Sequence, residues 1–154
     1  GCIDNAIHSF DGEQLRLECT ELMKRQGHDE STGSAKITKA YNLPCDYVIH
    51  TVGPIVGHQP TSRDREMLIS CYRSCMDLAK QNHLQSIAFC CISTGEFHYP
   101  NREAAEIAVE TVKNFLETWS ELSVIFNVFK ENDLEIYGEL LNPQNSKRAG
   151  IPCV

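Results

Sequence analysis

The stretch SIAFCCISTGEFHYP at residues 86–100 joins an apolar run to a turn of small and polar residues. Residues 86–92 are nearly all apolar, which is typical of a strand that is covered on both faces of a sheet. Residues 93–99 then form a loop, and Pro100 suits the start of a helix over 101–119. Because a buried strand that leads into a helix is the repeating unit of α/β folds, this segment predicts an α/β protein.

Helix and strand signals alternate along the rest of the chain as well. Apolar residues spaced three and four apart indicate helices, and runs rich in β-branched residues indicate strands. The alternation predicts a three-layer α/β/α sandwich around a mixed, mostly parallel sheet. Beyond the first segment, we expect helices over 13–25, 63–82 and 131–141, and strands over 35–39, 46–52 and 122–129.

The domain organisation follows from the same pattern. We expect one domain over residues 1–141 and a polar tail over 142–154. The chain begins with Gly1, and its first strand signal comes only at residues 35–39. In the helix at 13–25, one face should pack on the core because its apolar residues recur at helical spacing. That face carries Leu15, Cys19, Leu22 and Met23.

Composition narrows the class of protein. The chain has 154 residues and a formal net charge of −7, which argues against a protein that binds nucleic acid through bulk positive charge. No apolar run approaches the roughly 20 residues that a membrane-spanning helix needs. Eight cysteines are spread along the chain. We expect most of them to be reduced thiols in the core, which favours a reducing, cytoplasmic compartment.

The loop after residues 86–92 is the best candidate for a ligand site, because open α/β sheets bind ligands beyond the carboxyl ends of their strands. Ser93, Thr94 and Gly95 are small, so their backbone N–H groups can approach an anion. The start of the next helix adds partial positive charge. Phosphate binding is one interpretation, and an ordinary connection between strand and helix is the other. A Walker loop and a G-x-G-x-x-G motif are both absent.

A second group of polar side chains lies at the start of the chain. Cys2, Asp4, Asn5 and His8 fall within seven residues, and Asp4 and His8 would share a face of a helix. A thiolate suits Zn²⁺, but Cys2 and His8 alone are too few ligands for a zinc site. The alternative interpretation is that Asp4 caps a helix and His8 packs or donates a hydrogen bond.

These two groups lie in segments that resemble the macrodomain family, the ADP-ribose-binding α/β module. The loop STGEF-x-YP and the segment HTVGP are specific to that family, and the matches occur in order along the chain. The resemblance implies a macrodomain-like sandwich whose first strands are missing from this sequence. The matching segments are CIDNAIHSF (2–10), TGSAKITKAYNLPCDYVIHTVGP (32–54), SCYRSCMDLAKQNHLQSIAFCCISTGEFHYPNREAAEIAVETVKNFL (70–116) and VIFNVFKENDLEIYGELL (124–141).

Within that family, CIDN at residues 2–5 resembles the zinc-dependent ADP-ribosylhydrolase subgroup. The resemblance implies a Zn²⁺ cofactor with Cys2 as one of its ligands. The remaining ligands, a Cys and a His, would lie upstream of Gly1.

The same resemblance implies roles for individual residues near an ADP-ribose molecule. Asp4 and Asn5 would lie at the proximal ribose, where Asp4 orients water or acts as a general base. Residues 51–53 would pack beneath the site. The diphosphate loop would consist of Ser93, Thr94, Gly95, Glu96 and Phe97, and the adenine pocket would contain Asn127 and Phe129.

The implied function is hydrolysis of mono-ADP-ribose from modified protein side chains, with assistance from zinc. One alternative is a reader that binds ADP-ribose without turnover, and another is an O-acetyl-ADP-ribose deacetylase. A third is a fragment that forms only half of the site. Some relatives of the zinc subgroup occur alongside sirtuin-type ADP-ribosyltransferases, so the resemblance makes such an enzyme a candidate partner.

Overall fold

The computed structural model describes residues 3–28 and 30–142, apart from the side chain of Asp4. Strands and helices alternate in the predicted order, and one further helix precedes them. In chain order the elements are α1 (Ile3–Asp11), α2 (Glu13–Gln26), β1 (Ala35–Lys39), β2 (Tyr47–Thr51), α3 (Ser62–Gln81), β3 (Ser86–Phe89), α4 (Asn101–Thr118), β4 (Ser123–Phe126) and α5 (Glu131–Leu141).

The four strands form two hydrogen-bonded pairs. β1 and β2 are antiparallel, with Ala35 opposite Thr51. β3 and β4 are parallel, with Phe89 opposite Phe126. Parallel neighbours require a crossover between them, and α4 supplies it. The predicted α/β class with mixed strand directions is therefore confirmed.

The core lies between the helices α3, α4 and α5 and one face of the β3–β4 pair. Tyr72 of α3 packs edge-on against Phe89, with ring centroids 5.0 Å apart, and Phe126 packs against Tyr137 at 4.9 Å. Each of α3 and α4 turns an apolar face towards this core. Among their buried residues are Leu68, Cys71, Cys75, Ala79, Ala104, Ala108 and Val112.

Two predictions of burial are wrong. Met23 of α2 is 39% exposed, because this helix packs on the rest of the protein mainly through Leu15, its one buried residue. Residues 86–92 were expected to be covered on both faces, but Ala88 is exposed and its register partner Ile125 is 54% exposed. The reason is that α3, α4 and α5 pack on the opposite face, which carries Phe89.

Among the described cysteines, Cys45, Cys71, Cys75 and Cys91 are free thiols. Cys71 and Cys75 are buried in the core as predicted, and burial raises the pKa of Cys75 to about 12. Such a thiol stays protonated and inert at neutral pH. Within the described ranges, the chain has no helix with the length and apolar character needed to cross a membrane.

Helix α1, which the sequence pattern did not identify as an element, is held at its carboxyl end by one buried side chain. Asp11 is fully buried, and its Oδ1 accepts a hydrogen bond of 2.7 Å from the backbone N–H of Asn42 in the β1–β2 turn. The Asn42 side chain donates in return to the backbone carbonyl of Asp11, also at 2.7 Å. This reciprocal pair fixes where α1 ends, and Gly12 with φ of 88° turns the chain into α2.

We expect Asp11→Ala to lower the free energy of unfolding by about 2 kcal/mol, because the hydrogen bond to a buried carboxylate is lost and the N–H of Asn42 is left without its acceptor. Urea denaturation measures the change. Asp46→Ala, an exposed aspartate in the same turn, is the matched control and should stay within about 0.5 kcal/mol of the unchanged chain. Equal effects of the two substitutions would contradict the role of Asp11.

Candidate functional site

The loop between β3 and α4 is folded back on itself. Thr94 donates a side-chain hydrogen bond of 3.1 Å to the carbonyl of Cys91, and the N–H of Tyr99 donates to the carbonyl of Ser93 at 2.9 Å. Ser93 and His98 have φ of 65° and 56°, in the left-handed region that side chains disfavour. Such a conformation persists only where the surrounding contacts impose it.

This folding leaves a run of backbone donors without internal partners. In the described part of the chain, the N–H groups of residues 93–97 donate to no other residue. Gly95 and Glu96 are exposed, so the loop is open to solvent. Successive free N–H groups beside a helix start form a concave site for an anion. The geometry therefore favours an anion site here over a simple connection.

The segment after β2 supports this loop from below. A Cβ atom built on Gly53 would lie 2.1 Å from Oγ of Ser93 and 2.8 Å from Cγ2 of Ile92, so only glycine fits there. The N–H of Val56 donates to the carbonyl of Phe97 at 2.9 Å. These contacts bring the carboxyl ends of β2 and β3 to one edge of the protein.

The residues after β4 lie at the same edge, because β4 pairs in parallel with β3. The N–H of Asn127 donates to the carbonyl of Phe89 at 2.8 Å, which extends the pairing one step beyond the strands. The side chain of Asn127 is exposed, and Phe129 is 99% exposed. An aromatic side chain of this size in full contact with water is available to stack on a ligand.

Helix α1 runs towards this edge as well. The ring of His8 stacks on that of His50 in β2 at 6.3 Å between centroids, and Asp11, one turn later, bonds to Asn42 in the β1–β2 turn. Since β2 leads from that turn towards the carboxyl edge, α1 runs antiparallel to it. The first turn of α1, with exposed Asn5, therefore points to the edge that carries the loop at residues 93–97.

A cavity of about 430 Å³ opens beside that first turn, between α1 and α2. Its lining combines an amide, an imidazole, a guanidinium and a thiol, so it is polar and includes a positive charge. The side chains that line it are Asn5, His8, Arg16, Cys19 and Thr20.

The described residues do not fit a zinc site. Across residues 3–28 and 30–142, leaving aside the Asp4 side chain, no three His, Cys, Asp or Glu side chains are grouped so that they could hold a metal ion. His8 packs on His50, whose Nε2 lies 2.9 Å from Oγ1 of Thr38. The predicted ligand Cys2 lies outside the described residues. Zinc binding therefore stays a prediction.

A polar cluster beneath the loop was not anticipated from the sequence. The side chain of Asn101 donates a hydrogen bond of 2.5 Å to Oδ1 of Asp133, which is only 5% exposed. Burial, followed by the neighbouring carboxylate of Asp133, raises the pKa of Cys91 to about 11. Burial likewise raises the pKa of Tyr137. The only hint in the sequence was an acidic residue in the first turn of the helix at 131–141.

Comparison with known proteins relates this site to a family. The profile described as Macro domain matches residues 1–108. A Treponema medium protein named protein-ADP-ribose hydrolase is 54% identical over 142 residues, which are 92% of this chain and 54% of that protein. A Staphylococcus aureus protein of the same name is 53% identical over 143 residues, with the same shares. The chain thus spans about half the length of the curated relatives it matches.

Solved structures give the same picture for the fold. The Oceanobacillus iheyensis macrodomain with ADP superposes with a TM-score of 0.87 at 39% identity. The match covers 96% of this chain and 78% of that one. The predicted macrodomain-like fold is confirmed by this superposition.

We expect Gly53→Ala to destabilise the protein by about 1–3 kcal/mol, because the added methyl group overlaps Oγ of Ser93 and forces the loop to move. Gly57→Ala is the matched control, since a Cβ on Gly57 meets no atom within 4 Å. Combining Gly53→Ala with Ser93→Ala should restore part of the loss. Thermal unfolding of the four proteins measures these differences, and an unaltered melting temperature for Gly53→Ala would contradict the contact.

Proposed function

This chain belongs to the Macro domain family, and from that premise we propose that it binds ADP-ribose and hydrolyses mono-ADP-ribose from modified protein side chains. The relatives that share over half of its residues in the aligned region are named for that hydrolase activity. Because the chain spans only about half of their length, the activity is proposed for the protein to which these 154 residues belong.

The observation that carries the proposal is the run of free N–H groups at residues 93–97. A diphosphate has several anionic oxygens, and each can accept hydrogen bonds from such groups. Helix α4 begins at Asn101, close behind the loop, so its positive end adds to the attraction. Binding through backbone N–H groups explains how a protein with a net charge of −7 can hold a doubly charged ligand.

The adenine is proposed to stack on Phe129, with Asn127 beside it. Both residues follow β4, which is the neighbour of the strand that leads into the diphosphate loop. A ligand with a base at one end and a diphosphate in its middle can therefore reach both places at once. Stacking on an exposed aromatic ring contributes about 1–3 kcal/mol for a base.

The bond to be cleaved joins C1″ of the proximal ribose to a side-chain oxygen or nitrogen. In the proposed reaction, water adds to C1″, the bond to the side chain breaks, and the leaving atom takes up a proton. Asp4, in the first turn of α1, is proposed to orient that water or to accept its proton, and Asn5 to contact the ribose. Binding at the diphosphate and adenine sites holds C1″ in place for the attack.

Zinc is proposed only because CIDN at residues 2–5 resembles the zinc-dependent subgroup, with Cys2 as a ligand. None of the steps described above depends on zinc. If zinc is bound, it supplies a Lewis acid beside the ribose. Metal analysis of the purified protein tests this part of the proposal separately from hydrolysis.

A reader that binds ADP-ribose without turnover is the second candidate. Two groups at the carboxyl edge favour this candidate: the N–H groups of residues 93–97 and the ring of Phe129. Both are suited to binding a ligand, and neither titrates near neutral pH, so neither can act as a general acid or base. Release of free ADP-ribose from a modified protein distinguishes the two candidates.

Partner and location are also proposals. A sirtuin-type ADP-ribosyltransferase as partner rests on family resemblance, since such an enzyme would supply the modified proteins that this one cleaves. A cytoplasmic location is supported by the free thiols among the described cysteines, because a reducing compartment keeps thiols in that state.

We expect Phe129→Ala to weaken ADP-ribose binding about tenfold, because one stacking interaction is lost. Isothermal titration calorimetry with the 154-residue chain measures it. Phe10→Ala removes another exposed ring, 81% exposed on α1, and should leave the affinity unchanged. Equal affinities of Phe129→Ala and the unchanged chain would contradict the adenine site.

We expect Asp4→Ala to lower the rate of hydrolysis at least 100-fold while ADP-ribose affinity stays within about threefold, since general base catalysis contributes that order of rate. The assay is release of ADP-ribose from a mono-ADP-ribosylated protein. Asp77→Ala, an exposed aspartate on α3, is the matched control. Unaltered turnover by Asp4→Ala would contradict its role, and binding without turnover by the unchanged chain would favour the reader.

A further inference from the structure

The first turns of α4 and α5 are joined by one hydrogen bond, from the half-buried side chain of Asn101 to the buried carboxylate of Asp133. We propose that this pair is a positioning device that fixes the distance between the diphosphate loop at residues 93–97 and the adenine-stacking residue Phe129. The inference rests on the proposed function, because it concerns two places where one ligand is bound.

The need for such a device follows from the strand pairing. Backbone hydrogen bonds hold β3 and β4 together only as far as the contact between Asn127 and Phe89. Beyond it, the chain forms two separate loops, 90–100 and 127–130, and these carry the two proposed binding places. Among the described residues, no backbone hydrogen bond connects these two loops beyond that contact. Their relative position therefore depends on side chains.

Asp133 is placed to supply that connection. It is the third residue of α5, four residues after Phe129, and Asn101 is the first residue of α4, four residues after the diphosphate loop ends at Phe97. The Nδ2 of Asn101 lies 2.5 Å from Oδ1 of Asp133. An N–H donor facing a carboxylate in a buried setting makes a strong and directional hydrogen bond. This bond ties the end of one loop to the end of the other.

The same carboxylate also acts at the start of the diphosphate loop. Asp133 is close enough to Cys91 to raise the pKa of its thiol, and the carbonyl of Cys91 accepts the side-chain hydrogen bond of Thr94. One buried side chain of α5 thus lies near Cys91, which precedes the diphosphate loop, and near Asn101, which follows it. An acidic residue in the first turn of a helix is also favoured by the helix dipole.

The functional consequence differs between ligands. ADP-ribose engages both loops, so its affinity depends on their separation. Inorganic pyrophosphate engages only the diphosphate loop and is insensitive to where Phe129 lies. A site that is held in the bound geometry loses less entropy on binding, and loosening it weakens only the ligand that spans it. A pair that merely stabilised the fold would affect both ligands alike.

The test compares these two ligands on the 154-residue chain carrying Asn101→Ala. We expect the dissociation constant of ADP-ribose, measured by calorimetry, to rise about tenfold. The constant for pyrophosphate, measured by NMR titration, should change less than twofold. Asp133→Asn keeps an oxygen acceptor for Asn101 and should bind ADP-ribose within about threefold of the unchanged chain.

Arg102→Ala is the matched control. Arg102 is the neighbour of Asn101 and also joins α4 to α5, through the exposed carboxylate of Glu139, but it lies away from the loops. Its removal should alter neither constant. If Asn101→Ala does not fold, Asn101→Asp replaces it, since that side chain has the same shape and sets a carboxylate against Asp133. The same selective loss is expected.

Three results would overturn the inference. Equal losses for ADP-ribose and pyrophosphate would mean that the pair only shapes the diphosphate loop. Unaltered binding of both ligands by folded Asn101→Ala and Asn101→Asp would mean that it positions nothing. Failure of the unchanged chain to bind ADP-ribose would reject the proposed function as well, whereas the first two results leave that function intact.

Discussion

The contact between Gly53 and Ser93 is the constraint on which the candidate site depends. Because Gly53 has no side chain, the segment after β2 can lie directly beneath the loop after β3. A Cβ atom at residue 53 would overlap Oγ of Ser93. Ser93 has a left-handed conformation in this contact, and the N–H groups of residues 93–97 donate to no acceptor in the described part of the chain. Buried backbone groups are almost always paired, so a run of unpaired donors persists only where solvent or a ligand can satisfy them.

This arrangement resolves an electrostatic difficulty. The protein is acidic, and the proposed ligand carries two negative charges on its diphosphate. Lysine or arginine side chains are the usual partners of phosphate, but the loop supplies none. Backbone dipoles and the start of α4 take their place, and because they are fixed by the fold they need no reorganisation when the ligand binds. The affinity then depends on how rigidly the loop is held.

Rigidity at the carboxyl edge comes from several separate contacts. Asp11 and Asn42 fix the direction of α1, Gly53 supports the diphosphate loop, and Asn101 with Asp133 ties that loop to the residues after β4. They lie between elements that are distant in sequence, which is why they make one site out of loops that would otherwise move independently.

The sequence by itself determined the α/β class, six of the nine element positions to within two residues and the loop that carries the anion site, because apolar periodicity and turn residues are local signals. It overestimated how far β3 and β4 extend, and it left α1 and the exposure of Ala88 unrecognised, since both depend on which other elements pack there. Only the tertiary structure decided that Gly53 meets Ser93 and that Asp133 meets Asn101. Such contacts form between elements that are far apart in the chain. A local pattern of residues contains no information about which of these elements meet.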